Sequence, residues 1–204
     1  WFDETCGQLL DGLARRKMLD NTLVVFITDN GWIQGTGTNR QTRWSFAPKS
    51  KLSPYDGGLR TPVILRWPGH IKPDRRNELV SAVDLAPTIL RACGIEPAEA
   101  MKGANLLDVL AGKAGLRDRP VFSEVYDHAE VVLNDPAASL THRVVHRSDW
   151  SLILPVRDKP ELYDTTRDPK QEHNLAADQR ERVAALTQLL DDWWNPAPTS
   201  RPNK

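Results

Sequence analysis

The chain has 204 residues, 40% of them hydrophobic and 26% charged, enough to bury a core as one domain with an appended subdomain or as two small domains. Lysine plus arginine and aspartate plus glutamate balance at 27 each, which excludes a net field drawing the chain to nucleic acid or anionic lipid. No apolar run reaches the ~20 residues of a membrane-spanning helix.

The chain opens at Trp1, inside an amphipathic pattern with no Met and no basic or apolar leader, so a longer protein extending upstream is expected. Phe2, Cys6, Leu9, Leu10, Leu13 and Ala14 recur at helical spacing, and the pattern breaks at the polar turn Leu19-Asp20-Asn21. Leu23 to Ile27 is a short apolar run that reads as a strand buried on both faces. Helix, short turn and buried strand mark an α/β core. From Gly31 to Gly58 there is no periodicity, which inside a compact domain points to a functional segment. Thr61 to Trp67 reads as a second buried strand, stopped by Pro68-Gly69. Asp84 can cap a helix running to Cys93, with Pro87 in its first turn, Gly94 at its end, and Leu85, Ile89 and Ala92 facing the sheet.

Short strands then follow without helices between them, at Val121 to Tyr126, His142 to His146 and Trp150 to Val156, which predicts a small antiparallel sheet. Asp178 and Glu181 form a capping-box pair ahead of a helix whose Val183, Leu186, Leu190 and Trp193 make one apolar stripe. The division expected is 1–115 as the α/β core, 116–195 as a C-terminal subdomain of antiparallel strands plus helix, and 196–204 as a proline-rich frayed tail. Cys6 and Cys93 allow one disulfide but impose no framework.

Two segments carry chemistry. Thr28-Asp29-Asn30-Gly31 closes the first strand, where open α/β sheets place ligands, and Asp29 and Asn30 offer oxygen donors suited to a hard cation such as Ca²⁺. The competing reading is an ordinary Asp-Asn-Gly turn. Lys51 to Pro62, "KLSPYDGGLRTP", holds a lysine beside Gly57 and Gly58, whose freedom to take positive φ or to approach other backbone lets the loop turn sharply. A lysine there is a compact charge able to meet sulfate or phosphate oxygens, against the alternative of a solvated surface lysine.

In order and spacing, "LVVFITDNG" from Leu23 and "KLSPYDGGLRTPVILRWPG" from Lys51 closely resemble the sulfatase family of the alkaline phosphatase superfamily. "SAVDLAPTIL" from Ser81 and "ELYDTTRDPKQEHNLA" from Glu161 resemble later blocks of the same family. The resemblance implies the C-terminal part of a sulfatase-like α/β core, a sulfuric ester hydrolase activity in the intact enzyme, and a sulfated small molecule or carbohydrate as substrate. It makes Asp29 and Asn30 two of the calcium ligands and Lys51 the contact to the sulfate. Arg60 is expected to support the loop by pairing with Asp56. His128, in "EVYDHAE", is a candidate substrate contact at the cleft mouth. A secreted or periplasmic location also follows from the resemblance.

The family's nucleophile is a formylglycine made from Cys or Ser in C/S-x-P-x-R. Cys6 and Cys93 lack that context, and the terminal Ser200-Arg201-Pro202-Asn203-Lys204 only imitates it, so the motif is expected upstream and the chain alone is expected to be inactive. His142 and His146 have the spacing of helical zinc ligands, but their surroundings read as a strand, which makes them structural. The alternatives are a phosphodiesterase or phosphonate monoester hydrolase of the same superfamily, or a non-catalytic remnant or binding module. Asn30, where the former more often carry an imidazole for softer metals, favours calcium and sulfate.

Overall fold

Residues 1–32, 49–127 and 135–196 are described by the computed structural model. In chain order the elements are α1 (Phe2–Arg15), β1 (Val24–Ile27), α2 (Asp56–Leu59), β2 (Val63–Arg66), α3 (Leu85–Ala92), α4 (Leu106–Leu110), β3 (Val121–Tyr126), β4 (Leu140–Arg147), β5 (Trp150–Pro155), β6 (Glu161–Asp164) and α5 (Arg180–Trp193). The chain splits into two compact units, Trp1–Thr28 with Pro62–Leu116 and Asp29–Thr61 with Arg117–Lys204. A division after residue 115 follows the chain; compactness instead groups residues 29–61, and with them Asp29, Asn30 and Lys51, with the C-terminal strands.

In the first unit β1 pairs antiparallel with β2, from Val24 opposite Arg66 to Ile27 opposite Val63. The expected burial on both faces is not found. β1 is half-buried throughout, and in β2 burial alternates, leaving Ile64 55% exposed. Burial that alternates along β2 is the mark of a strand covered on one face and not on two. The core lies beside the ribbon, where Leu106, Val109 and Leu116 pack with Leu65, Val80 and Leu85.

Asp84 organises this unit from the N-cap position of α3, as expected, but its side chain makes no cap bond to that helix. Ser81 caps the 3₁₀ turn Ala82–Asp84 ahead of it, accepting from Val83 N, while the fully buried Asp84 carboxylate accepts from Ser81 N at 2.8 Å and from Ala104 N at 2.7 Å. One carboxylate thus satisfies two orphan amides and fastens the entry of α4 to that of α3. Gly94, at φ +72, ends α3 as its position suggests, but Ile89 is 44% exposed, and Pro87 and Thr88 are the buried residues.

In the second unit β3, β4, β5 and β6 form an antiparallel sheet in sequence order. The helix α5 lies on β4 and β5, and Leu186 and Leu190 bury with Val145, Leu152 and Leu162. Each such side chain contributes about 1.5–3 kcal/mol on burial. The capping box is absent: α5 starts at Arg180 after Gln179, with no side-chain cap. Trp193 ends the stripe 41% exposed, stacked on Phe122 at 4.7 Å. The opposite face of the sheet buries Val144, Ile153 and Tyr163 against Tyr55 and Leu59. Cys6 and Cys93 are both free thiols.

Candidate functional site

The turn that carries Lys51 is built by close backbone approach. Ser50 is buried, Ser53 N donates to its carbonyl at 3.0 Å, and α2 brings Gly57 and Gly58 back against Lys49, Ser50 and Ser53. A Cβ at Gly58 would stand 2.5 Å from the Ser50 carbonyl oxygen and 2.8 Å from Ser53 Oγ. Neither glycine has positive φ, so of the two properties expected of them only close approach is used. The left-handed residues are instead Lys49 at φ +63 and Leu52 at φ +69, on either side of the Ser50-Lys51 peptide.

This turn also receives the other motif. Gly31 N donates to Gly58 O at 2.9 Å, Trp32 N to Gly57 O at 2.6 Å, and Lys51 N to Trp32 O at 2.9 Å. A Cβ at Gly31 would fall 2.6 Å from the Gly58 carbonyl carbon, so the Asp-Asn-Gly sequence is shaped for this contact and not only for a turn. Asp29-Asn30 and Lys51 therefore leave one small backbone lattice. Asp29 is exposed and Asn30 half-buried, its Nδ2 donating to Gly31 O at 2.8 Å. An amide nitrogen donates hydrogen bonds only, so Oδ1 is the Asn30 atom whose chemistry suits a cation. A carboxylate and an amide oxygen fit a hard ion, and they make up only part of a shell of about six to eight oxygens. Among the described residues no three His, Cys, Asp or Glu side chains converge as a metal cluster.

Behind the turn lies a set of contacts the sequence does not announce. Asp56 Oδ1 meets His146 Nε2 of β4 at 2.7 Å, with both side chains largely buried. This replaces the expected Asp56–Arg60 pairing, since Arg60 is exposed and acts on Asp56 only through its charge. Burial alone would raise the Asp56 pKa, but hydrogen bonding and charge from His146, with the charge of Arg60, hold it below the ordinary value. Lys49 is half-buried. Its ammonium donates to the Gln171 carbonyl and sits over the Tyr55 ring at 4.7 Å and the Tyr163 ring at 5.6 Å. Both phenols donate to Glu161 Oε2, Tyr55 at 2.9 Å. Burial and the Glu161 carboxylate push Tyr55 up to about 12 and raise Tyr163 as well.

His142 and His146 lie on a strand, and both are half-buried; burial lowers the His142 pKa, while the charges of Glu161 and Asp127 oppose it. His128 lies outside the described residues. β6, α4, the Asp56–His146 pair and the Lys49–Gln171 contact carry no periodic or motif signal of their own, apart from the "ELYD" likeness at β6.

A family model described as "Sulfatase" matches residues 1–95, and one described as "N-sulphoglucosamine sulphohydrolase, C-terminal" matches residues 49–193. The chain belongs to the sulfatase family. This sulfatase chain is 25% identical over 207 residues to an N-acetylgalactosamine-6-O-sulfatase of Bacteroides thetaiotaomicron, covering 93% of this chain and 40% of that protein. It therefore spans well under half of that relative's length. Its fold matches a protein solved in complex with its substrate D-glucosamine-2-N,6-O-disulfate, at TM-score 0.67 and 26% identity over 95% of this chain and 39% of the other. It also matches the phosphonate monoester hydrolase of Silicibacter pomeroyi, at TM-score 0.72 and 26% identity over 96% of this chain and 39% of the other. Among the described residues no helix is long and apolar enough to cross a membrane.

Proposed function

We propose that the complete protein hydrolyses sulfate esters, with Lys51 contacting the sulfate and Asp29 and Asn30 supplying two ligands of a Ca²⁺ ion. The observation that carries this reading is the backbone lattice from Gly31 and Trp32 to Gly57, Gly58 and Lys51, which gives two motifs distant in sequence one common support. A lysine on a backbone so held can supply a cation to a sulfate bound at the hard-oxygen donor pair and so stabilise charge that redistributes as the nucleophile attacks sulfur and the S–O bond to the alcohol breaks. When bound, Ca²⁺ would add Lewis-acid charge to the same sulfate. The nucleophile is expected from a formylglycine encoded outside this sequence. A sulfated carbohydrate is the substrate class favoured by the names of the related proteins, and His128 remains the candidate contact to the sugar.

The second reading, hydrolysis of phosphonate monoesters, is favoured by the fold match to such an enzyme. Asn30 argues against it, because a neutral oxygen donor suits calcium better than a softer metal. The test is steady-state kinetics of the complete protein on an aryl sulfate and a phosphonate monoester. Lys51→Ala is expected to lower kcat/KM for the sulfate by roughly 10²-fold or more, since it removes a fixed charge aimed at the transition state. Lys51→Arg should also be impaired, as a planar fork does not replace a compact ammonium. The exposed Lys113 is the control. Equal activity of Lys51→Ala and Lys113→Ala would overturn the assignment, and faster turnover of the phosphonate would favour the second reading.

A further inference from the structure

We propose that Gln171 is a positioning residue for Lys51, acting through Lys49 and Asp56; this rests on the sulfate-binding reading of Lys51 above. Gln171 is 1% exposed and left-handed, at φ +55. Its side-chain Oε1 accepts from Asp56 N at 2.7 Å, and its main-chain carbonyl accepts from the Lys49 ammonium. One residue thus grips the Lys51 turn on both sides, before it at Lys49 and after it at Asp56. Gln171 Nε2 donates to Ser151 Oγ of β5 at 3.4 Å, and His146 of β4 takes the Asp56 carboxylate, so both grips are referred to the sheet.

The segment carrying Gln171 is itself closed. Gln171 N donates to Asp168 O at 2.9 Å, while the Asp168 carboxylate accepts from Glu172 N at 3.0 Å and His173 N at 2.8 Å. Between the two grips, the strained backbone at Lys49 and Leu52 would relax if left unsupported, because left-handed bulky residues persist only where surrounding contacts over-determine them. Gln171 is therefore a device for aiming a side chain it does not touch.

A merely structural role and a positioning role part company in a double-mutant cycle. Gln171→Asn keeps the main-chain carbonyl for Lys49 and suits a left-handed position, but withdraws the acceptor from Asp56 N by one methylene. Gln171→Glu keeps an acceptor at the original reach. In the complete protein acting on an aryl sulfate, Gln171→Asn is expected to lower kcat/KM by roughly 10- to 100-fold, the scale of an ångström of misplacement, and to weaken inhibition by inorganic sulfate. Gln171→Glu is expected to recover most of the activity. Combined with Lys51→Ala, Gln171→Asn should cost little more, because the residue it aims is already gone. Fully additive losses, or wild-type activity in Gln171→Asn while Lys51→Ala is strongly impaired, would overturn the positioning role and leave the sulfate-binding reading standing. A harmless Lys51→Ala would overturn both. Should Gln171→Asn fail to fold, the same cycle with Lys49→Met, which keeps the stem over the tyrosine rings and removes only the ammonium, decides by the same outcomes.

Discussion

Replacing Gly58 by alanine tests the close-packed turn directly. The added Cβ would stand 2.5 Å from the Ser50 carbonyl oxygen, where ordinary contact begins at 3.4 Å, so the backbone must yield by roughly 0.9 Å. The Ser53 carbonyl and hydroxyl crowd the same point and close the other way out. Overpacking of this kind costs about 3 kcal/mol, and the bond from Gly31 N to Gly58 O is worth about 1 kcal/mol more. Alanine in a helical turn returns about 1 kcal/mol, leaving a net loss of about 3 kcal/mol. For a chain of this size that lowers Tm by roughly 6–12 °C. Because the Ser50 carbonyl belongs to the peptide that carries Lys51, activity of the complete protein should also fall by about 10²-fold. Gly7 supplies the opposite sign: nothing lies within 4 Å of its Cβ position in α1, so Gly7→Ala should stabilise by up to about 1 kcal/mol. Thermal melts and denaturant titrations of both variants make the comparison. A Gly58→Ala protein as stable as Gly7→Ala would refute the account of the turn.

Three further outcomes concern carboxylate and phenol groups. Asp84→Ala strips two amides of a charged acceptor and should cost about 3–5 kcal/mol in denaturant unfolding, with Asp84→Asn losing less; a loss under about 1 kcal/mol would contradict the role given to this carboxylate. Asp56 has a depressed folded pKa, so the stability it confers is present above its ordinary value and is lost as pH falls through the folded one; hydrogen exchange at residues 49–60 should rise only below about pH 4, and Asp56→Asn should flatten that dependence. All three tyrosines have raised pKa values, that of Tyr55 to about 12, so stability present below the ordinary value of 10.0 should be lost as pH climbs toward 12. Tyrosinate absorbance of the folded chain checks this, and ionisation of all three near pH 10 would rule it out.

The legible parts of this chain are those decided locally. The stripe of Val183, Leu186 and Leu190 predicts α5 because one helical face meets the core, and the six-residue, largely apolar runs that hold β3 and β5 predict strands by their length and residue types, although β5 buries Leu152 and Ile153 on opposite faces. β6 escapes because it is short: Glu161–Asp164 holds only Leu162 and Tyr163 between two carboxylates, too few residues for a periodic signal, although both bury, one on each face of the sheet. The capping box fails by a residue or two: Asp178 and Glu181 have the spacing, but the helix starts at Arg180.

Within the site the same distinction separates Lys51 from Lys49. Lys51 is legible because its motif is contiguous, whereas Lys49, which the sequence gives no reason to distinguish from a solvated lysine, binds a carbonyl 122 residues away and covers two rings. Of the six non-glycine residues with positive φ among those described, three are Lys49, Leu52 and Gln171. Each pays a conformational cost of order 1 kcal/mol that its local sequence does not recover, so the turn cannot be the preferred shape of residues 49–58 taken alone. What recovers it is the distant set of Gln171, His146 and Glu161. The lysine proposed to meet the sulfate is thus named by a local motif, while the shape of the turn that carries it is supported by residues from the C-terminal strands and the segment that follows them.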